Sequence, residues 1–154
     1  MTDFKKTRVL VVCSAGGHLM EAMLAIEGLD VDFDVATFRL SHLKMPPGNA
    51  KGLHFLTDPH VSIFKYAVNA LQSIWLLMKV RPRVILTTGA GIAIPCALFG
   101  KLYGARLIVV ESAARVKELS RTGLFLYKYA DLFIVQWPDL CNKYPKAVYG
   151  GCVL

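Results

Sequence analysis

Three short loops carry the residues whose types and spacing could do chemistry. The first is Ser14-Ala15-Gly16-Gly17-His18, directly after the apolar run Arg8 to Cys13. Glycines at a strand–helix turn permit positive φ and let the backbone approach a ligand closely. The free N–H groups of the helix they open favour an anion such as phosphate. A tight turn with no ligand explains the same residues, so both readings stand. His18 falls in the first helical turn, where the positive end of the helix dipole disfavours imidazolium. A neutral imidazole can accept a proton from a sugar hydroxyl. The plainer alternative is a structural histidine bonded to the next loop.

The second loop is Gly89-Ala90-Gly91, after Val84 to Thr88, and the third is Glu111-Ser112, after Arg106 to Val110. Glu111 is suited to bind sugar hydroxyls or to act as a base; otherwise it pairs at the surface with Arg115 or Lys117, which would matter little. Arg115, Lys117 and Arg121 are positioned either to meet a pyrophosphate or to be solvated. Familiar cofactor sites fit poorly. The first glycine loop has no P-loop lysine. The dinucleotide fingerprint is incomplete, and the second apolar run ends at Phe38-Arg39, not at an acid for a ribose. That disfavours an NAD enzyme, while Arg39 leaves NADP as a lesser alternative. No acidic pair suits a divalent ion, so no metal dependence is expected; outside the NADP alternative no cofactor is expected either.

These loops need strands behind them and helices after them. Periodicity predicts strands at Arg8 to Cys13, Phe33 to Phe38, Leu53 to Leu56, Val84 to Thr88, Arg106 to Val110, Leu132 to Gln136 and Ala147 to Tyr149. Helices are expected at His18 to Leu29, Val61 to Val80, Ile92 to Tyr103 and around Gly123 to Tyr129. Leu40 to Asn49, with Pro46-Pro47-Gly48, reads as loop. The alternation specifies an α/β fold: a Rossmann-like parallel sheet covered by helices on both faces. Its ligand belongs at the carboxyl ends of the strands, where all three loops fall.

Bulk properties narrow the partners. The chain has 154 residues, is 55% hydrophobic and 19% charged, and carries a formal charge of +7. That length suits one domain spanning 1–154, and disorder is excluded. The charge favours anionic lipid or phosphorylated substrates. Nucleic acid ranks last, because the cations are scattered and not interleaved with exposed aromatics. Cys13, Cys96, Cys141 and Cys152 show no zinc or redox spacing and read as reduced thiols. The start MTDFKK runs straight into a strand with no cleavage site, so no signal peptide is expected. Cys152 stands one residue too close to the end for a prenylation box.

The segment Val61 to Val80 is long enough to cross a bilayer nominally. Lys65, Asn69, Gln72 and Lys79 lie along one stripe with Ser73 beside it, which argues for lying in the interface instead. Phe64, Leu71, Trp75 and Leu76 are the expected apolar membrane contacts, with Lys65, Lys79, Arg81 and Arg83 meeting headgroups. The alternative is a core helix buried by a partner chain. Trp137-Pro138 is a further candidate contact or a core element.

Linked motifs make the resemblance specific. SAGGH, TTGAGIAIP, VVESAARVKELSRTG and ADLFIVQWPDL resemble the PssD family of exopolysaccharide glycosyltransferase subunits. They also resemble the membrane-anchoring subunit of the eukaryotic dolichol-linked N-acetylglucosaminyltransferase and, more distantly, the N-terminal half of MurG (the GT-B fold). The resemblance covers nearly the whole chain. It implies an acceptor-binding, membrane-associating subunit on the cytoplasmic face of a bacterial cell membrane, in exopolysaccharide or capsule biosynthesis. It implies a polyprenyl-pyrophosphate-linked saccharide as acceptor and a separate donor-binding, PssE-like subunit for the UDP-sugar. A two-domain transferase does not fit in 154 residues. Gly16, Gly17 and His18 match the end of the MurG-type glycine loop. Gly89 to Pro95 matches the second loop, with Ala90 in place of a glycine. Glu111 matches the acid of its His-Glu-Gln-Asn segment, although Val110 and Ser112-Ala113 differ. His18 is then the expected base, with Glu111 competing for that role or orienting the acceptor. Ser14, Gly16, Gly17, Gly89, Ala90, Gly91, Ser112 and Arg115 are the expected substrate contacts. A non-catalytic scaffold that activates its partner is the second reading.

Overall fold

The computed structural model describes residues 7–41 and 43–153. The charged start at 1–6, on which the signal-peptide reading rests, lies outside the described residues. So do residue 42 of the expected Leu40 to Asn49 loop and the terminal residue 154.

Seven strands form one parallel sheet: β1 (Arg8–Val12), β2 (Asp32–Thr37), β3 (Gly52–Phe55), β4 (Val84–Thr87), β5 (Arg106–Val110), β6 (Leu132–Val135) and β7 (Ala147–Tyr149). Their order is β3-β2-β1-β4-β5-β6-β7. The helices are α1 (Gly17–Ile26), α2 (Ile63–Val80), α3 (Ala93–Leu102), α4 (Arg121–Tyr127) and α5 (Asp139–Lys143). The chain winds outward from β1 to β3, then returns through α2 to β4 on the far side of β1. The switch point between β1 and β4 opens a crevice at their carboxyl ends, where a doubly wound sheet takes its ligand.

The central strands read as continuous apolar runs because both of their faces are covered. On β1, Leu10 and Val12 enter one core and Val9 and Val11 the other. The first core includes Leu76 and Leu77 of α2, Cys96 and Ala97 of α3, Leu126 of α4 and Leu140 of α5. The second is closed by Leu19, Ala22 and Ile26 of α1. Farther along that second face Ile108 and Ile134 are half-buried, and Leu132 and Val148 are exposed. Covering by helices on both faces therefore holds for β1 and fades toward β7.

The sequence-predicted elements occur within a few residues of their expected ends. Helix α1 stops at Ile26, short of Leu29, because Gly28 turns the chain at φ 77°. Helix α5 was not anticipated; at five residues it is too short to show a periodicity.

Helix α2 is turned differently from expectation. Its inward side carries Asn69 and Ser73, both fully buried. The Asn69 amide donates to the carbonyls of Thr57 (2.8 Å) and Ile92 (3.2 Å), and the Ser73 hydroxyl donates to Asn69 Oδ1. The Thr57 N–H donates to Gln72 Oε1 at 2.7 Å. These bonds satisfy buried polar groups that would otherwise be costly. The outward side carries Phe64 (78% exposed), Leu71 (70%) and Trp75 (58%). Lys65 and Lys79 are exposed as well, and Lys79 sits 5.0 Å over the Trp75 ring. Leu76 corrects the expected membrane set: at 1% exposure it packs in the first core and meets no surface. Among the described residues no helix is long and apolar enough to cross a membrane.

Candidate functional site

The first glycine loop positions His18 through its backbone. Gly16 caps α1 at φ 91° with no side-chain cap, which leaves the first helical N–H groups without a side-chain acceptor. Thr88, just past β4, donates its hydroxyl to the His18 carbonyl at 2.8 Å. The loop bond anticipated for a structural histidine thus falls on the His18 main chain. The imidazole is left over the second glycine loop: a Cβ on Gly89 would lie 3.8 Å from His18 Cε1. That loop runs through the left-handed region at Gly89 (φ 106°) and Ala90 (φ 71°). For alanine this conformation costs roughly 1–2 kcal/mol. Gly91 instead faces α2, where a Cβ would stand 3.0 Å from the Tyr66 hydroxyl.

His18, Ala90, Glu111, Ser112 and Arg115 line one cleft of about 560 Å³, together with Ser120 and Arg121. The sequence-predicted residues His18 and Glu111 therefore share one side of the fold. Ser14, Gly16, Gly89 and Gly91 belong to the loops beside it, and Gly17 opens α1. Lys117 is exposed and outside the cleft lining.

Glu111 holds the third loop together. It is only 2% exposed. Its Oε1 accepts from the Ser112 N–H, and its Oε2 accepts from the Ser120 N–H (3.0 Å) and hydroxyl (3.2 Å). Gly123 packs so closely that a Cβ there would collide with the carboxylate. These contacts replace the surface ion pair with Arg115 or Lys117 that the sequence allowed. Trp137 donates its indole N–H to the Ala113 carbonyl at 2.7 Å, fastening the same loop.

Sequence reasoning missed Glu21. It lies one turn beyond His18 on α1 and is 3% exposed. Its Oε1 accepts from the Ser112 hydroxyl (3.0 Å) and the Ala113 N–H (2.9 Å), joining α1 to the third loop. Its Oε2 stands 3.8 Å from His18 Nδ1. The signal was a glutamate three residues after the histidine, but the other partners lie more than ninety residues away.

No cysteine is among the residues that line this cleft. Burial pushes the Cys13 and Cys96 thiols up to about 12, offset slightly at Cys13 by a hydrogen bond with Thr88. Among the described residues no cluster of three or more metal-ligating side chains occurs.

Comparison with known proteins places the sequence and the fold. The family described as "Oligosaccharide biosynthesis protein Alg14 like" matches residues 57–153. The human "UDP-N-acetylglucosamine transferase subunit ALG14" is 28% identical over 186 residues, covering 100% of this chain and 86% of that protein. The subunit of the same name from Debaryomyces hansenii is 40% identical over 183 residues, covering 99% and 79%. In fold, the chain resembles MurG of Acinetobacter baumannii (TM-score 0.67, 12% identity, 86% of this chain and 42% of that one). It also resembles UDP-N-acetylglucosamine 2-epimerase of Rickettsia bellii (TM-score 0.72, 10% identity, 96% and 45%). The chain thus spans under half the length of either solved structure. A family match over most of the chain and 40% identity to a relative covered over most of its length give the same answer: the chain belongs to the Alg14-like family of oligosaccharide biosynthesis proteins.

Proposed function

We propose that this chain is the acceptor-side subunit of a two-chain glycosyltransferase. A donor-binding partner, PssE-like in kind, supplies the UDP-sugar. The acceptor is a polyprenyl-pyrophosphate-linked saccharide, of the sort extended in exopolysaccharide or capsule assembly at the cytoplasmic face of a bacterial membrane. The observation that carries this reading is the placement of His18 in one cleft with Ser112 and Arg115, at the carboxyl rim of β1, β4 and β5.

His18 is the base. The acceptor hydroxyl oxygen forms a bond to the anomeric carbon of the donor sugar, and the bond from that carbon to the UDP oxygen breaks. The hydroxyl proton passes to His18 and later to solvent, while UDP leaves. The α1 N-terminus and Arg115 favour the acceptor's phosphates. Glu111 shapes the loop; its two oxygens already accept from neighbouring N–H and O–H groups. The outer face of α2 lies in the membrane interface. Its exposed apolar side chains gain by leaving water, and Lys65 and Lys79 meet anionic headgroups.

The test is reconstitution with the partner chain on a panel of UDP-sugars and a polyprenyl-pyrophosphoryl acceptor. Each chain alone is expected to be inactive. His18→Ala is expected to lower kcat about 100-fold or more while the complex stays intact. Unchanged turnover in that variant would leave the chain as a scaffold that activates its partner.

A further inference from the structure

Glu21 and His18 face each other with unused hydrogen-bonding capacity. The carboxylate is nine-tenths or more buried, and its Oε1 is fully occupied by Ser112 and Ala113. Its Oε2 is buried with no hydrogen-bond partner, and so is His18 Nδ1. The two atoms are 3.8 Å apart. Buried, unsatisfied polar atoms are rare and call for an explanation. Here two of them are neighbours. The His18 side chain is one-third exposed. Nδ1 is buried, so the exposure of a ring that lines the cleft falls on its other atoms, Nε2 among them.

We propose that Glu21 is a positioning residue for His18. Its Oε2 accepts the Nδ1–H, which fixes the tautomer that leaves a bare lone pair on Nε2 toward the cleft. The same charge steadies the imidazolium that forms when the acceptor hydroxyl yields its proton. The Nδ1 proton stays on the ring throughout; only the hydroxyl proton moves, from oxygen to Nε2. Such bonds are often long without substrate and tighten when the site fills, and here closure takes about 1 Å. Because the other carboxylate oxygen grips Ser112 and Ala113, one side chain ties the base to the loop that lines the cleft. This rests on the reading of His18 as base.

Glu21→Gln separates positioning from loop anchoring. The amide oxygen still accepts from Ser112 and Ala113, and the NH2 replaces Oε2 opposite Nδ1. It donates where the carboxylate accepted, so the ring proton shifts to Nε2. Long-range 1H–15N spectra of the chain, at about pH 8.5 where an ordinary imidazole is neutral, report the tautomer directly. The wild-type chain is expected to show Nδ1–H and the variant Nε2–H. In the reconstituted pair, with UDP-N-acetylglucosamine and a polyprenyl-pyrophosphoryl saccharide, kcat of the variant should fall about 100-fold or more with KM nearly unchanged. An Nε2–H tautomer in the wild-type chain overturns the proposal, and this result is readable even if the variant fails to fold. A variant with wild-type kcat overturns it too. If His18→Ala is inactive while Glu21→Gln is fully active, only this proposal fails; if His18→Ala keeps its turnover, the reading of the base fails.

Discussion

Gly123 shows how closely the cleft is built around its buried acid. The Ser120 hydroxyl accepts from the Gly123 N–H at 2.9 Å while donating to Glu111, so α4 begins against the carboxylate. A side chain at 123 has nowhere to go except into Glu111. Gly123→Ala is therefore expected to destabilise the fold by about 1–3 kcal/mol, as overpacking does. Thermal unfolding checks this, and an unchanged midpoint would mean that the third loop gives way easily. At this scale the sequence showed His18, Glu111 and Ser112 correctly as neighbours, because strand ends and glycine turns are local signals. It did not show what Glu111 does. A carboxylate at a strand end looks the same whether it faces solvent or accepts three hydrogen bonds from its own loop. Glu21 was hidden for a related reason: its partners Ser112 and Ala113 arrive from another strand.

Helix α2 shows what periodicity can and cannot settle. Spacing revealed its polar stripe and its apolar remainder. It could not reveal that the Asn69 and Ser73 edge turns inward, because the carbonyls that satisfy Asn69 belong to Thr57 and Ile92, outside the helix. The result is a helix anchored partly by buried polar groups, with several of its largest apolar side chains in water. Two substitutions one residue apart separate the faces. Trp75→Glu should release the chain from anionic liposomes with little loss of stability. Leu76→Glu should instead cost several kcal/mol by burying an unpaired charge. Flotation with phosphatidylglycerol vesicles, paired with thermal unfolding, reads both effects. If Trp75→Glu still floats like the wild type, α2 is not the membrane-facing element.

The whole molecule is a parallel sheet whose switch point gathers three loops at one rim, with α2 beginning near that rim and running back beneath it. Its fold class was legible because alternating strands and helices specify a parallel sheet; the strand order came only with the structure. The fading cover over β5 to β7 was not, since each strand is equally apolar in sequence whatever lies on its second face. The central claim is a division of labour: this chain receives the acceptor, and a partner brings the donor. Equilibrium binding to the chain alone, in nanodiscs, tests that most directly. The account predicts saturable binding of a polyprenyl-pyrophosphoryl saccharide, weakened by Arg115→Ala, and no measurable binding of UDP-N-acetylglucosamine. Tight binding of the UDP-sugar with no affinity for the lipid-linked saccharide would contradict it.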